Sequence, residues 1–222
     1  MLVVSSSDIY GVTSDTPIAE LQLDECQPFN PYAESKFLME EMIEADFKDM
    51  TIRVRPFPHI GPGQAKGFVT ADFASQIAAI EDGKQPAVMK VGNLEAQRDF
   101  TDVRDVVRAY RLLMEQGAMG SVYNVASGKA TKIADILQML LKLSKTAITV
   151  QQDKEHARPL DVPVIMGDAS KLQALTGWAP ESSLEQSLTD ILDYWRKART
   201  SSPRPTVATR RSAAARPARS RT

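Results

Sequence analysis

The chain contains very few of the residues that form disulfides and protein-built metal sites. Cys26 is the only cysteine among 222 residues, and there are two histidines. One thiol cannot form an intrachain disulfide, which favours a reducing, cytosolic setting. The same scarcity argues against a zinc site. Cys26 has no basic or histidine neighbour in the sequence, so we expect an incidental loop thiol without catalytic function.

Long apolar runs are also missing. No stretch approaches the roughly 20 apolar residues that a membrane-spanning helix needs. The apolar run Leu2–Val4 is far too short for the core of a signal peptide. The composition is 43% hydrophobic and 25% charged, which is typical of a globular domain. We therefore expect no membrane partner and a cytoplasmic location.

Acidic residues are missing from the end of the chain. Residues 200–222 contain six arginines and no acidic residue, whereas residues 1–199 carry a net charge of −7. The segment consists mainly of Ser, Pro, Ala, Arg and Thr, which offer almost nothing to bury. The composition predicts a domain over 1–199 and a disordered basic tail over 200–222. Such a tail could contact nucleic acid, but we favour a solvated extension and expect no nucleic-acid partner.

A dinucleotide-binding glycine fingerprint is absent as well. The segment Gly61–Gly67 lies between a predicted strand and a predicted helix, where such a fingerprint would stand. Its spacing is G-x-G-x-x-x-G, and Pro62 lacks the amide that should face a pyrophosphate. We interpret this segment as a substrate loop.

Strand and helix patterns alternate along the chain. The predicted strands are 2–4, 50–54, 87–91, 121–125, 147–151 and a short one near 162–166, and the predicted helices are 31–48, 68–81, 102–116, 131–144, 169–175 and 183–198. Thr101 is expected to cap the third helix, and Ser182 with Glu185 to form a capping box on the last. Alternating strands and helices predict an α/β fold with a largely parallel sheet.

A tyrosine and a lysine stand one helical turn apart at a predicted helix start. Asn30 is a favoured N-cap and Pro31 suits the first helical position, so Tyr32 and Lys36 share one helix face. An ammonium beside a phenol favours the phenolate, which suits proton transfer. The serines at 5–7 follow a short buried strand, and ligands favour the carboxyl ends of such strands. Together these residues predict a carbonyl/alcohol redox site.

Several segments, taken in order, resemble one family. They are Ser5–Gly11, Tyr32–Lys36, Arg55–Gln64, Gly92–Val103, Arg158–Val162 and Thr176–Pro180. The chain is similar to the extended short-chain dehydrogenase/reductases that act on nucleotide sugars, in particular to the GDP-mannose branch. The resemblance implies the C-terminal part of a Rossmann-like, doubly wound parallel sheet with a small α/β substrate-binding lobe. It extends from the first residue to about Arg199.

The resemblance also implies roles for individual residues. Ser6, Tyr32 and Lys36 match the catalytic residues of the family, and Tyr32 and Lys36 also bind the cofactor NAD(P)H. His59 stands where related dehydratases contact the nicotinamide. The residues implied for binding the GDP-sugar substrate are Arg98, Arg158 and Asp161. A guanidinium fork suits phosphate oxygens. Arg98 could instead form an ordinary ion pair with Asp99 or Asp102, and Arg158 could be a solvated loop charge.

The implied reaction is NAD(P)H-dependent reduction of the 4-keto group of a GDP-4-dehydro-6-deoxy-hexose. Asp8 stands where related dehydratases keep a glutamate, and the shorter side chain favours a reductase. The alternatives are 4,6-dehydration of GDP-mannose, epimerisation of a nucleotide sugar, and a non-catalytic nucleotide-sugar-binding remnant.

Two departures from the family pattern concern completeness and the substrate site. The glycine-rich first turn and the first strands of the family fold should precede Leu2, so we expect an inactive fragment of a parent that forms a homodimer. Pro58 replaces an asparagine that contacts the substrate diphosphate in relatives, and proline cannot supply that hydrogen bond.

Overall fold

The computed structural model describes residues 1–13, 16–152 and 162–200. In these ranges the strands are β1 (Leu2–Val4), β2 (Ile52–Pro56), β3 (His59–Ile60), β4 (Val88–Val91), β5 (Gln97–Asp99), β6 (Thr101–Asp102), β7 (Val122–Val125), β8 (Ala130–Lys132), β9 (Thr149–Gln152) and β10 (Val164–Ile165). The helices are α1 (Pro31–Asp46), α2 (Val69–Glu81), α3 (Val103–Gln116), α4 (Ile133–Leu143), α5 (Ser170–Thr176) and α6 (Leu184–Thr200).

The central sheet is parallel and has the order β1-β2-β7. Its middle strand is buried along its whole length. Successive side chains of a strand point to opposite faces, and β2 uses this alternation to separate charge from apolar surface. Arg53 and Arg55 point towards carboxylates of α1. Ile52 and Val54 pack with α3 residues on the other face. Helices therefore cover both faces, as the α/β prediction requires.

Smaller strand pairs build the second part of the domain. The order β10-β5-β8 combines a parallel and an antiparallel pair, and β3-β6 and β4-β9 are parallel pairs. A hydrophobic core forms between α2, α4 and α6, with residues of β4 closing it. A second core lies around the central sheet, α3 and α5. Trp178 is fully buried in the latter, and its indole Nε1 donates to the Asp105 carbonyl at 3.0 Å.

The predicted start of α1 is confirmed. Asn30 is its N-cap, the Asn30 side chain accepts the Ala33 amide at 2.9 Å, and Pro31 occupies the first helical position. Two other predicted caps were wrong by one residue. Asp102 rather than Thr101 caps α3, because the Asp102 carboxylate accepts the Arg104 amide at 2.8 Å.

The last helix is also capped one residue later than predicted. The hydroxyl of Ser183, not Ser182, accepts the Gln186 amide at 3.1 Å. Ser182 instead donates its amide to Asp105 at 2.9 Å, which joins α6 to α3. The short strands β3, β5, β6 and β8 were not predicted, because two or three residues carry no readable alternation. Helix α4 begins at Ile133 rather than at residue 131, because residues 130–132 form the short strand β8.

Cys26 lies in a loop, as predicted, and the structure shows that its side chain is buried. Its thiol donates to the Gln22 carbonyl at 3.3 Å. Burial raises the pKa of Cys26 to about 11. A thiol with this pKa is poorly nucleophilic at neutral pH, so the prediction of a thiol without catalytic function stays consistent with its surroundings.

Candidate active site

Ser6 lies just beyond the carboxyl end of β1. The chain turns there into a short 3-10 helix, Ser7–Tyr10, and Ser6 caps it: the Ser6 hydroxyl oxygen accepts the Asp8 amide at 3.2 Å. This hydrogen bond uses Ser6 as an acceptor, so the hydroxyl proton stays available to a ligand oxygen. The residue is buried, with 7% of its surface exposed.

Tyr32 and Lys36 lie in the first turns of α1, which packs against the 3-10 helix that Ser6 caps. The Lys36 ammonium is 5.9 Å from the centroid of the Tyr32 ring, as the one-turn spacing predicted. Tyr32 is 53% exposed, so its phenol is accessible to a ligand. The fold thus gathers the serine segment, the tyrosine and the lysine at the carboxyl end of β1.

The Lys36 ammonium is held at the outer edge of β1. Its Nζ donates to the Val4 carbonyl at 3.1 Å. The Met1 carbonyl and the Ser5 amide bond to β2, so the Val4 carbonyl, one residue out of phase with them, points away from β2. No described strand pairs with that edge. A backbone carbonyl therefore orients the ammonium beside Tyr32.

Tyr110 on α3 is a site neighbour that the sequence did not reveal. Burial raises the pKa of Tyr110 to about 12, and the nearby Tyr32 phenol adds to this effect. Tyr110 and Tyr32 lie on helices that cover opposite faces of the sheet, and no motif in the sequence links the two residues.

Arg98 lies close enough to the serine segment for its charge to act on Asp8. Burial raises the pKa of Asp8, and the positive charge of Arg98 opposes this rise. The Arg98 Nη1 also donates to the Gln97 and Val162 carbonyls at 2.7 and 2.8 Å. Arg158 and Asp161, the other predicted substrate residues, lie outside the described residues.

Asp99 and Asp102, the alternative ion-pair partners of Arg98, both bind other groups. The Asp99 carboxylate accepts the amides of Ser127 and Gly128 at 2.8 and 2.9 Å and that of Gly167 at 3.2 Å. Asp102 binds Arg104. Asp99 is fully buried and joins three chain segments, and no sequence signal distinguished it from an ordinary loop carboxylate.

His59 lies at the start of β3, beyond the carboxyl end of β2. It is exposed, and its Nδ1 is 3.2 Å from the Phe57 carbonyl. The following loop is shaped by packing: a Cβ on Gly61 would lie 2.5 Å from Val103 Cγ1, so the glycine allows β3 to approach α3. This explains a glycine in the loop without a phosphate, in agreement with the rejection of the fingerprint.

A buried network beneath the site connects the serine segment to α1. The Tyr10 hydroxyl donates to Asn124 Oδ1 at 2.6 Å, and the Arg55 guanidinium lies 5.0 Å from the centre of the Tyr10 ring. Arg55 donates from Nε and Nη2 to both carboxylate oxygens of Glu40 at 2.9 and 2.8 Å. Glu40 lies one turn beyond Lys36 on α1. The network therefore holds Ser6 and Lys36 in a fixed relation through the central strand.

One feature of the sequence outside its motifs indicates this network. Two arginines alternate in β2, a strand otherwise suited to burial, and buried cations require buried acidic partners. Glu40, in the predicted helix 31–48, is such a partner. Pairing β2 with α1 by this charge argument would have indicated the contact.

Two clefts lie elsewhere on the surface of the described residues. One, of about 430 Å³, lies between β2, the amino-terminal end of β7 and the segment Glu20–Asp24, and Arg55 of the buried network is among its lining residues. The other, of about 380 Å³, lies between Leu23–Asp24 and α1. Neither cleft is lined by Ser6, Tyr32 or Lys36.

The fold and these residues define a class of protein. A hydroxyl at the carboxyl end of a parallel strand, followed by a helix that carries tyrosine and lysine one turn apart, is the arrangement of an extended short-chain dehydrogenase/reductase.

Comparison with known proteins makes the assignment specific. The family described as GDP-mannose 4,6 dehydratase matches residues 1–191, and the chain belongs to this family. GDP-6-deoxy-D-mannose reductase of Pseudomonas aeruginosa is 37% identical over 201 residues, 87% of this chain and 65% of that protein. GDP-6-deoxy-D-talose 4-dehydrogenase of Aggregatibacter actinomycetemcomitans is 28% identical over 80% of this chain and 58% of that protein.

A solved structure supports the same fold. The structure of RMD from Pseudomonas aeruginosa complexed with NADPH has a TM-score of 0.81 and 36% identity, and it covers 89% of this chain and 66% of that one. The chain thus spans about two thirds of the length of these relatives or less. Among the described residues, no helix is long and apolar enough to cross a bilayer.

Proposed function

We propose that this chain contains the proton-transfer and substrate-binding residues of an NAD(P)H-dependent reductase that acts on the 4-keto group of a GDP-4-dehydro-6-deoxy-hexose. The observation that carries the proposal is the set of Ser6, Tyr32 and Lys36 at the carboxyl end of β1, in a chain 37% identical to a GDP-6-deoxy-D-mannose reductase. The reaction would take place in the cytoplasm, where a chain with one buried thiol needs no disulfide.

Each of the three residues has a contact that suits its role. Ser6 holds a hydroxyl whose proton can bind the carbonyl oxygen as negative charge develops there. Tyr32 is exposed and transfers its proton to that oxygen. Lys36, fixed by the Val4 carbonyl at 3.1 Å, keeps a positive charge beside the phenol. The bound cofactor supplies the hydride that reduces the carbonyl carbon.

The described residues fit one end of the cofactor. Lys36 and Tyr32 would hold the nicotinamide riboside, and exposed His59 could contact the same end. The segment Gly61–Gly67 offers no pyrophosphate cradle, because Gly61 is used for packing against Val103. We therefore expect weak NAD(P)H binding and negligible turnover for the 222-residue chain by itself.

Arg98 is the one predicted substrate residue that lies among the described residues. Arg98 lies near Asp8 and can bind a diphosphate oxygen, with Arg158 and Asp161 completing the nucleotide site in this proposal. The Arg98 Nη1 donates to two backbone carbonyls, which fix the orientation of the guanidinium plane. A fixed guanidinium binds phosphate with little loss of side-chain entropy.

The test supplies the amino-terminal part of the relatives that this chain does not span. The amino-terminal part of the Pseudomonas reductase is fused before Leu2, and consumption of NADPH with GDP-4-keto-6-deoxy-mannose is measured. Tyr32→Phe is expected to lower the rate by about 10²–10⁴-fold, the usual contribution of a general acid. Tyr194→Phe is the matched control on distant α6 and should leave the rate unchanged. Unchanged turnover in the Tyr32→Phe fusion would contradict the assigned role.

The alternatives have distinct readouts in the same fusion. Loss of water from GDP-mannose without added reductant would identify a 4,6-dehydratase, and Asp8 would then be its acid/base near the sugar. Interconversion of two nucleotide sugars without net redox change would identify an epimerase. Binding of GDP-sugar without any turnover would identify a non-catalytic remnant.

A homodimer of the parent forms part of the proposal. Leu38 and Met42 lie one turn apart on α1 and are 51% and 64% exposed. Such a stripe on a surface helix suits pairing with a second helix. Light scattering of the fusion should give twice the chain mass, and Leu38→Lys with Met42→Lys should halve it.

A further inference from the structure

Charge is distributed very unevenly between the two ends of this chain. Residues 1–50 contain eleven acidic and two basic residues, a net charge of −9. Residues 201–222 contain six arginines and no acidic residue, a net charge of +6. The two segments are therefore complementary, and repulsion within the first is relieved by any contact with the second.

Three of the acidic residues of the first segment line a groove. The groove lies between Leu23–Asp24 and α1 and has a volume of about 380 Å³. We call it the α1 groove. Its lining residues are Leu23, Asp24, Phe37, Glu41, Glu44 and Ala45. Leu23, Phe37 and Ala45 give it an apolar floor, and the three carboxylates stand at its sides.

Two of these carboxylates have no cationic partner among the described residues. Asp24 and Glu41 are exposed and form none of the described ion pairs, whereas Glu44 pairs with Lys48 and Arg53. In contrast, many carboxylates on the other side of the molecule already have arginine partners. These pairs are Asp190 with Arg104, Glu181 with Arg108, and Glu81 and Asp193 with Arg196.

We propose that the arginine-rich segment 201–222 of the same chain docks in the α1 groove. Guanidinium groups bind carboxylates in a bidentate manner and also stack on aromatic rings, so Asp24, Glu41 and the Phe37 ring suit arginine better than lysine. Ala, Pro and Val residues between the arginines contact the apolar floor. The docked segment covers one side of α1, beside the Leu38–Met42 stripe.

The segment is long enough to reach the groove. It begins after Thr200, the end of α6, and its 22 residues span at most about 75 Å when extended. A compact domain of about 200 residues has a radius of gyration of about 16 Å. Every surface of the domain is thus within reach, and charge selects among them.

Paramagnetic broadening in the full chain tests this proposal. A spin label is attached at Ser212→Cys in a Cys26→Ser background, and amide peak intensities are compared with those of the reduced label. We expect strong loss of intensity for Leu23, Asp24 and Glu41. Salt at 1 M, where the screening length falls to about 3 Å, should restore these peaks.

Matched variants separate docking from general attraction. Asp24→Asn with Glu41→Gln should restore the groove peaks, whereas Asp135→Asn with Glu185→Gln removes the same charge elsewhere and should leave the broadening in place. Arginine-to-glutamine substitution throughout 201–222 should abolish the broadening.

Three results would overturn the proposal. They are even broadening over the surface, broadening unaffected by Asp24→Asn with Glu41→Gln, and broadening that appears only when spin-labelled chains are mixed with separate isotope-labelled chains. The last result would assign the contact to a second copy. None of these measurements depends on reductase activity, so the outcome is separate from that of the proposed function.

Discussion

Removing the charge of Glu40 should destabilise the domain strongly. Glu40 is 0% and Arg55 1% exposed, so both members of this ion pair are desolvated. Breaking a buried pair from one side leaves an uncompensated charge, at a cost of about 3–5 kcal/mol. Glu40→Gln keeps one oxygen that can accept a hydrogen bond from Arg55, so we expect the free energy of unfolding to fall by about 3 kcal/mol.

Urea unfolding followed by the fluorescence of buried Trp178 measures this loss. With a slope of about 2 kcal/mol per molar urea, a loss of about 3 kcal/mol lowers the midpoint by about 1.5 M. Native domains have a free energy of unfolding of about 5–15 kcal/mol, which exceeds this loss. The variant should therefore still fold, but with a clearly lower midpoint.

A double substitution distinguishes desolvated charge from lost packing. Glu40→Leu with Arg55→Met replaces the pair by apolar side chains and should cost less than Glu40→Leu alone, because the Arg55 guanidinium is not left buried without its partner, and Arg53 keeps its pair with Glu44. It still removes the donor to the Leu21 carbonyl, now bonded at 2.7 Å. A midpoint shift below about 0.3 M for Glu40→Gln would refute the reasoning, because it would mean that the pair contributes as little as an exposed one.

Three further predictions concern other parts of the domain. Burial raises the pKa of Cys26 to about 11, so its reaction with a disulfide reagent at pH 8 should be at least roughly two hundredfold slower in the native than in the unfolded chain, and equal rates would contradict its burial. A hydrogen bond from Arg196 lowers the pKa of Glu81, so the Glu81 carboxylate stabilises the fold above its unfolded pKa of about 4.3 and ceases to do so as the pH falls through its folded pKa. Glu81→Gln should therefore flatten the curve of urea midpoint against pH below about pH 5. An unaltered curve would count against the ion pair. Gly61→Ala should cost about 1–3 kcal/mol in urea unfolding, because its Cβ would lie 2.5 Å from Val103 Cγ1, and Val103→Ala should recover much of that loss in the double variant.

Local patterns in the sequence were sufficient for the long elements and for the composition of the site. Asn30 and Pro31 mark the start of α1 because capping depends on residues within one turn. The same local geometry places Tyr32 and Lys36 on one face, and the apolar run Leu2–Val4 places Ser6 at a strand end. The family likeness rests on such short segments, and comparison with known proteins confirmed it.

Contacts between distant segments were decided only by the tertiary structure. Tyr32 acts electrostatically on Tyr110 although 77 residues of sequence separate them, and only the folded chain brings them within range. Arg55 selects Glu40 because burial makes an unpaired cation costly, and that cost exists only once β2 is covered by α1. A sequence fixes which groups can pair through backbone geometry over one turn or one strand, whereas desolvation depends on what the whole chain places around a group.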